Sequence, residues 1–151
     1  MIDLRKGKVA YKITEAKYNS EIVRNLIRTV EANREKFCMG WFPDDLRKGD
    51  NTKKYFILHN STQFFGFAII VKMKTIVKLR TICSNTKYRG AGTILMNHIE
   101  NFARKNKIRR IKLLSVYDAI VFYKKLGYET KYKNYSPKKE YLCPMFKNLS
   151  H

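Results

Sequence analysis

The stretch KYRGAGTILMNHIENFARKNKIRRIKLLSVYDAIVFYKKLGY, from Lys87 to Tyr128, constrains this chain more than any other. It opens with a short basic loop, Lys87-Tyr88-Arg89-Gly90-Ala91-Gly92, that holds two glycines and two cations. Glycine permits positive φ and lets a ligand approach the main chain closely. Ile94, Leu95, Ile99, Phe102 and Ala103 then recur at helical spacing, so the loop opens a helix. The unpaired N–H groups of a helix's first turn, with its dipole, attract an anion. Lys87 and Arg89 add full positive charges, and a pyrophosphate suits such a loop. A Gly-x-Gly alone also fits a plain turn between strand and helix. The pattern predicts a helix from Gly92 to about Asn106 and a strand over 109–116. A second helix runs from Asp118 to Leu126, with Gly127 as its C′ residue.

The rest of the chain supplies elements for a sheet. Residues 8–16 alternate as a strand, with Val9, Tyr11 and Ile13 on one face. Asn19-Ser20 caps a helix whose buried side carries Ile22, Val23, Leu26, Ile27 and Val30, running to about Lys36. The apolar cluster from Phe37 to Pro43 has no period; it reads as a packed lid over the sheet or a wall of a ligand pocket. Asp44 to Arg47 forms a short helical turn. Strands follow at 55–59, 64–72 and 75–83, joined by short turns as an antiparallel meander, with Gly66 a candidate bulge. The strand over 109–116 follows a helical crossover and should lie parallel to the one before it. Residues 128–135 and 140–145 read as a closing hairpin.

Two motifs then stand in order, one helix and one strand apart. Lys87-x-x-Gly90-x-Gly92 leads into Leu95-Met96, Glu100 and Ala103-Arg104, and Ala119-Ile120-Val121-Phe122-Tyr123-Lys124-Lys125-Leu126-Gly127-Tyr128 follows. Together they resemble the GCN5-related N-acetyltransferase (GNAT) family. That family carries Arg/Gln-x-x-Gly-x-Gly/Ala at the turn gripping the pyrophosphate of acetyl-CoA, and later Ala-Ile-x-Phe-Tyr-x-Lys-x-Gly-Phe. Two departures are visible. Lys87 keeps the charge of the family's Arg but not its bidentate fork. Ser115-Val116-Tyr117-Asp118 lacks the Asn that the family often places before the second motif.

The resemblance implies an α/β (α+β) fold. Its central sheet would be mixed and mostly antiparallel, with six to seven strands flanked by about four helices and splayed at the cofactor site. One acetyltransferase domain would span residues 1–151. It implies acetyl-CoA as cosubstrate, held by Ile82, Cys83 and Ser84 at a strand end, by Lys87, Tyr88, Arg89, Gly90, Ala91, Gly92 and Thr93 in the loop, and by Phe122. It implies Tyr123 as the group that protonates the departing sulfur. A strand end with unpaired N–H and C=O groups can take an amide-bearing ligand as an added strand. Cys83 would then lie near the thiol path, although a small buried apolar residue is the simpler reading. Tyr123 reads equally as part of a core stripe.

Composition limits the alternatives. A chain of 151 residues with 44% hydrophobic and 13% aromatic content is not disordered. No apolar run approaches the roughly 20 residues of a membrane span. Residues 1–12 lack an apolar signal core, so a cytoplasmic location is expected, and the chain is expected to be a monomer or homodimer. Cys38, Cys83 and Cys143 are odd in number and far apart, which reads as free thiols in a reducing compartment. His59, His98 and His151 are scattered, so no metal site is expected.

The net charge of +20, from 32 Lys and Arg against 12 Asp and Glu, attracts anions. It exceeds what one cofactor needs. Nucleic-acid binding is one account. The charges are spread along the chain beside abundant Asn, Ile and Tyr, which favours compositional bias instead. A strongly cationic acceptor would be repelled in either case. The acceptor is an unassigned amine. Asp44, Asp45 and Glu31 qualify as general base only if the first helices fold over the site; a water chain is the alternative. A GNAT-fold protein that binds nucleic acid without acyl transfer, and an enzyme using a longer acyl-CoA, are the competing readings.

Overall fold

The computed structural model describes residues 1–38, 43–131 and 142–149. Two sheets form. Strand β1 (Ile2–Asp3) pairs in parallel with β6 (Tyr88–Arg89). Among the described residues the main sheet has seven strands in the order β2-β3-β4-β5-β7-β9-β8. They are β2 (Lys12–Lys17), β3 (Lys53–His59), β4 (Phe64–Lys72), β5 (Ile76–Ser84), β7 (Arg110–Ser115), β8 (Glu129–Thr130) and β9 (Cys143–Asn148). Among the described residues four α-helices accompany them: α1 (Glu21–Ala32), α2 (Asp44–Arg47), α3 (Ala91–Lys105) and α4 (Ile120–Lys125). The sheet is mixed and mostly antiparallel, as the resemblance implies.

Contacts divide the chain into two compact units: Met1–Val71 with Arg80–Ile99, and Lys72–Leu79 with Glu100–His151. In the first, β2 pairs antiparallel with β3 from Lys12↔His59 to Lys17↔Lys54. β3 pairs antiparallel with β4, and the register shifts between Leu58↔Gly66 and His59↔Phe64, leaving Phe65 as the extra residue of a bulge beside Gly66. Helix α1 buries Val23, Leu26 and Val30 against Tyr55, Ile57, Phe67 and Ile69. Each fully buried aliphatic side chain contributes about 1.5–3 kcal/mol. The helix ends at Ala32, short of Lys36, and continues only as a 3-10 turn at Arg34–Lys36. Residues 8–11 are not strand; β2 begins at Lys12. Of the apolar cluster between Phe37 and Pro43, residues 39–42 lie outside the described residues, and Phe37 is buried.

In the second unit, β5 and β7 run parallel, as a crossover connection demands, and their register covers Ile76–Lys78 against Arg110–Lys112. β9 pairs antiparallel with β7 over Arg110–Ser115 and with β8 at Glu129–Thr130. The closing hairpin expected at 128–145 thus has its described strands at 129–130 and 143–148, and residues 132–141 lie outside the described residues. Gly127 follows α4 at φ +94. Among the described residues, no helix is long and apolar enough to cross a membrane.

The cysteine expectation is corrected. Cys38 and Cys83 form a disulfide across 45 residues, and only Cys143 is free, buried, with burial pushing its thiol pKa up. The cause is local. A bridge pairs Phe37 with Asn85, and Thr86 N–H donates to Lys36 O at 2.7 Å. These bonds bring the two Cα atoms to 4.9 Å, within the usual disulfide span.

Candidate active site

Asn85 builds the glycine loop. Its main-chain N–H donates to Phe65 O at 2.9 Å, and its Nδ2 donates to Phe64 O at 3.3 Å. Its Oδ1 accepts the Lys87 N–H at 3.0 Å, and its carbonyl accepts the Tyr88 N–H at 3.1 Å. One asparagine thus ties the loop to the β4 edge and sets its turn. Tyr88 is an anchor: it is buried, stacks edge-on against Phe65 at 4.7 Å and donates its hydroxyl to Gln63 Oε1. Ala91 is buried also, 3.4 Å from where a Cβ on Gly66 would stand. The same added carbon would come within 2.8 Å of Cys83 O, so only glycine lets β4 lie this close to the end of β5.

Lys87 and Arg89 remain exposed, and neither has an ion-pair partner among the described residues. Gly90 takes φ +96 and turns the chain into the fifteen-residue α3. Its carbonyl accepts the Ile94 N–H at 3.1 Å, which leaves the earlier amides of the first turn without intrahelical partners. A Cβ on Gly90 would meet Arg5 at 2.8 Å from Nε. Arg5 is held over the glycine by Asp3, through Nε at 3.0 Å and Nη2 at 2.8 Å. The side-chain hydrogen bonds from Arg5 hold the Asp3 carboxyl well below the usual carboxylate range. The parallel pairing Ile2↔Tyr88 and Asp3↔Arg89 delivers this third cation. Sequence reasoning missed Arg5 and Asn85. An Asn-Thr pair just after a strand signals a turn; nothing in residues 1–6 signals pairing to residue 88.

Ile82 and Ser84 are half-buried on the last residues of β5, and Cys83 is buried in the α1 core and bonded to Cys38. The first unit therefore brings together Ile82–Ser84 and Lys87–Thr93. Phe122 and Tyr123 belong to the second unit. Tyr123 is 5% exposed, with Phe122 at 5.1 Å and Tyr128 at 5.8 Å. Burial pushes its phenol up to about 12. In the same unit Lys147 Nζ donates to Glu100 Oε1 at 2.8 Å and to Leu126 O at 2.7 Å, closing the end of α4 beside Gly127.

Of the carboxylates considered as bases, Glu31 pairs with Arg47 on the surface. Asp45 reaches β3 and β5, with Lys53 at 2.9 Å and Arg80 at 3.6 Å. Burial raises its pKa, but the hydrogen bond from Lys53 and the charge of Arg80 outweigh that and hold it below the ordinary range. A carboxylate so held is a poor proton acceptor at neutral pH.

The loop suits the pyrophosphate that the resemblance implies. It offers a glycine whose Cβ has no room, free first-turn amides and three nearby cations.

A family model described as an acetyltransferase (GNAT) domain matches residues 18–149. The ribosomal-protein-S18-alanine N-acetyltransferase of Escherichia coli is similar in structure, with a TM-score of 0.69 at 18% identity over 94% of this chain and 96% of that one. An acetyltransferase of Streptococcus agalactiae gives a TM-score of 0.69 at 17% identity, over 92% and 98%. Tetrahymena GCN5 gives a TM-score of 0.68 at 18% identity, over 94% and 97%. No curated protein sequence matches.

Proposed function

Since this chain belongs to the GNAT acetyltransferase family, we propose that it moves an acetyl group from acetyl-CoA to a primary amine by direct attack. The observation that carries this reading is Gly90, at positive φ beneath Arg5 and directly after Lys87 and Arg89 in the chain, opening α3. Lys87, Arg89 and the amides of Ala91, Gly92 and Thr93 hold the pyrophosphate. Main-chain groups of Ile82, Cys83 and Ser84 hold the pantetheine amides, and Phe122 packs on the cosubstrate. Both units serve one acetyltransferase domain, a reading supported by a family match that runs through each of them.

When bound, acetyl-CoA supplies an activated acetyl group. An N–H at Ile82 or Cys83 polarises the carbonyl oxygen in place of water. The acceptor amine is neutral when it attacks, and its proton leaves to water, since Asp45 is held ionised by two cations. Tyr123 stays protonated at neutral pH. A phenol at about 12 is a weaker acid than an ordinary thiol near 8.5. Tyr123 therefore stabilises the departing sulfur by donating a hydrogen bond, and full proton transfer follows only as water supplies the proton. The net charge of +20 selects against strongly cationic acceptors.

Thermal melting near physiological salt tests the cosubstrate. Acetyl-CoA at a hundred times its dissociation constant stabilises the native state by about 2.7 kcal/mol, and release of CoA thiol across an amine panel then identifies the acceptor. Absence of any shift overturns the reading. Salt-sensitive nucleic-acid binding without acyl transfer would then explain the charge.

A further inference from the structure

Cys38 and Cys83 attach the segment after α1 to the end of β5, beside the residues assigned above to the pantetheine arm. We propose that this pair is a thiol–disulfide modification site, reacting with low-molecular-weight disulfides, whose state sets the rigidity of the β5 end. The coupling to acyl-CoA rests on the function proposed above; the modification site does not.

The geometry defines the order of events. Cys83 is 4% exposed, in the core with Val23, Leu26 and Phe67, whereas Cys38 is only partly buried. Cys38 therefore meets the incoming disulfide. Its thiolate attacks one sulfur, the other sulfur departs as a thiolate and takes up a proton, and a mixed disulfide stands on Cys38. The Cys83 thiolate then attacks the Cys38 sulfur and expels the second small thiol. Two electrons and two protons pass from the cysteine pair to the small disulfide, which leaves as two thiols. The second step is intramolecular because the Cα atoms stand 4.9 Å apart.

Among the described residues, few main-chain ties join the two segments at the pair. One bridge, Phe37↔Asn85, and one hydrogen bond, Thr86 N–H to Lys36 O, accompany the disulfide. Cys38 also takes φ +51, a conformation that a non-glycine residue holds only when its surroundings impose it. Reduction leaves those two main-chain ties and the packing of buried Phe37 to hold Cys38 against the β5 end. Asn85, which sets the glycine loop, lies two residues beyond Cys83 in this corner.

The test equilibrates the full chain with glutathione disulfide or with dithiothreitol, then alkylates it under denaturing conditions. One alkylated cysteine, Cys143, is expected after oxidation and three after reduction. Hydrogen exchange of the Thr86 amide is expected to slow by about tenfold in the oxidised protein, and Cys38→Ser is expected to exchange as the reduced protein does. Three alkylated cysteines in both states, a persistent glutathione adduct on Cys38, or equal Thr86 exchange in both states each overturns the site. The dissociation constant of acetyl-CoA is expected to be about threefold lower in the oxidised form, because a fixed strand end loses less freedom on binding. Acetyl-CoA binding to neither form, with thiol count and exchange changing as stated, overturns the proposed function and leaves the site standing. Binding to both forms with three reactive thiols throughout overturns the site alone.

Discussion

Gly90 and Gly127 hold almost the same φ, +96 and +94, at opposite ends of two helices. Gly90 opens α3, where the free groups are N–H donors. Gly127 follows α4, where the free groups are carbonyls. At Gly127 the chain supplies its own partner: Lys147 donates to Leu126 O at 2.7 Å and is held by Glu100. At Gly90 the surrounding side chains are cations, and cations cannot accept from amides. The closed corner is satisfied internally and carries stability. The open corner has donors and positive charge left over, which an anion satisfies.

Replacing each glycine separates the two roles. Gly90→Glu adds a side chain where Arg5 already stands and places a carboxylate at the anion site. Titration calorimetry should show acetyl-CoA affinity falling by about 100-fold or more, on the scale of a lost charged contact plus repulsion. Lys147→Met leaves Glu100, 5% exposed, with Arg104 at 3.7 Å as its remaining ion-pair partner among the described residues. Urea denaturation should show a loss of about 2 kcal/mol, somewhat below the range for a fully buried broken pair, with acetyl-CoA affinity nearly unchanged. Gly127→Ala forces alanine into a left-handed conformation and costs about 1–2 kcal/mol of stability. Arg5→Ala removes one of the three cations and should weaken acetyl-CoA binding only about threefold, because its charge is shared with Asp3.

The two tyrosines of the second unit give a pH signature at the closed corner. Folding raises the Tyr123 pKa from 10.0 to about 12 through burial, and burial raises Tyr128 further. Above pH 10 the unfolded chain loses phenolic protons that the native chain keeps. Stability is therefore full below pH 10 and declines as pH rises toward 12. Tyr123→Phe should lessen that decline in urea denaturation and lower kcat by about tenfold to a hundredfold. An unchanged kcat would confine Tyr123 to packing.

Much of the open corner was legible in the sequence. Helical spacing from Ile94 to Ala103, together with two glycines and two cations, located α3 and its loop without any tertiary information. The strands 64–72 and 109–116 were legible for the same reason, since apolar runs bounded by turn residues report local structure. What escaped depends on pairing between distant residues. Ile2–Asp3 is too short to show a period, so Arg5 could not be placed over Gly90. The Cys38–Cys83 bond spans 45 residues, beside one bridge and one hydrogen bond between segments distant in sequence. Lys147 and Glu100 lie 47 apart, and neither carries a local signal of burial. Helix α1 was placed correctly at its start, but its C-terminal limit was overrun, because Arg34–Lys36 tightens into a 3-10 turn where Phe37 begins to pair with Asn85.

On the proposed function, Gly90 marks a ligand site while Gly127 marks a structural closure. Calorimetric titration of acetyl-CoA into the unaltered protein, Gly90→Glu and Gly127→Ala tests it most directly, at a temperature where all three are folded. Saturable binding to the unaltered protein is expected, with affinity within about threefold for Gly127→Ala and a loss of about 100-fold for Gly90→Glu. No binding to the unaltered protein, or equal affinity in both variants, would contradict it.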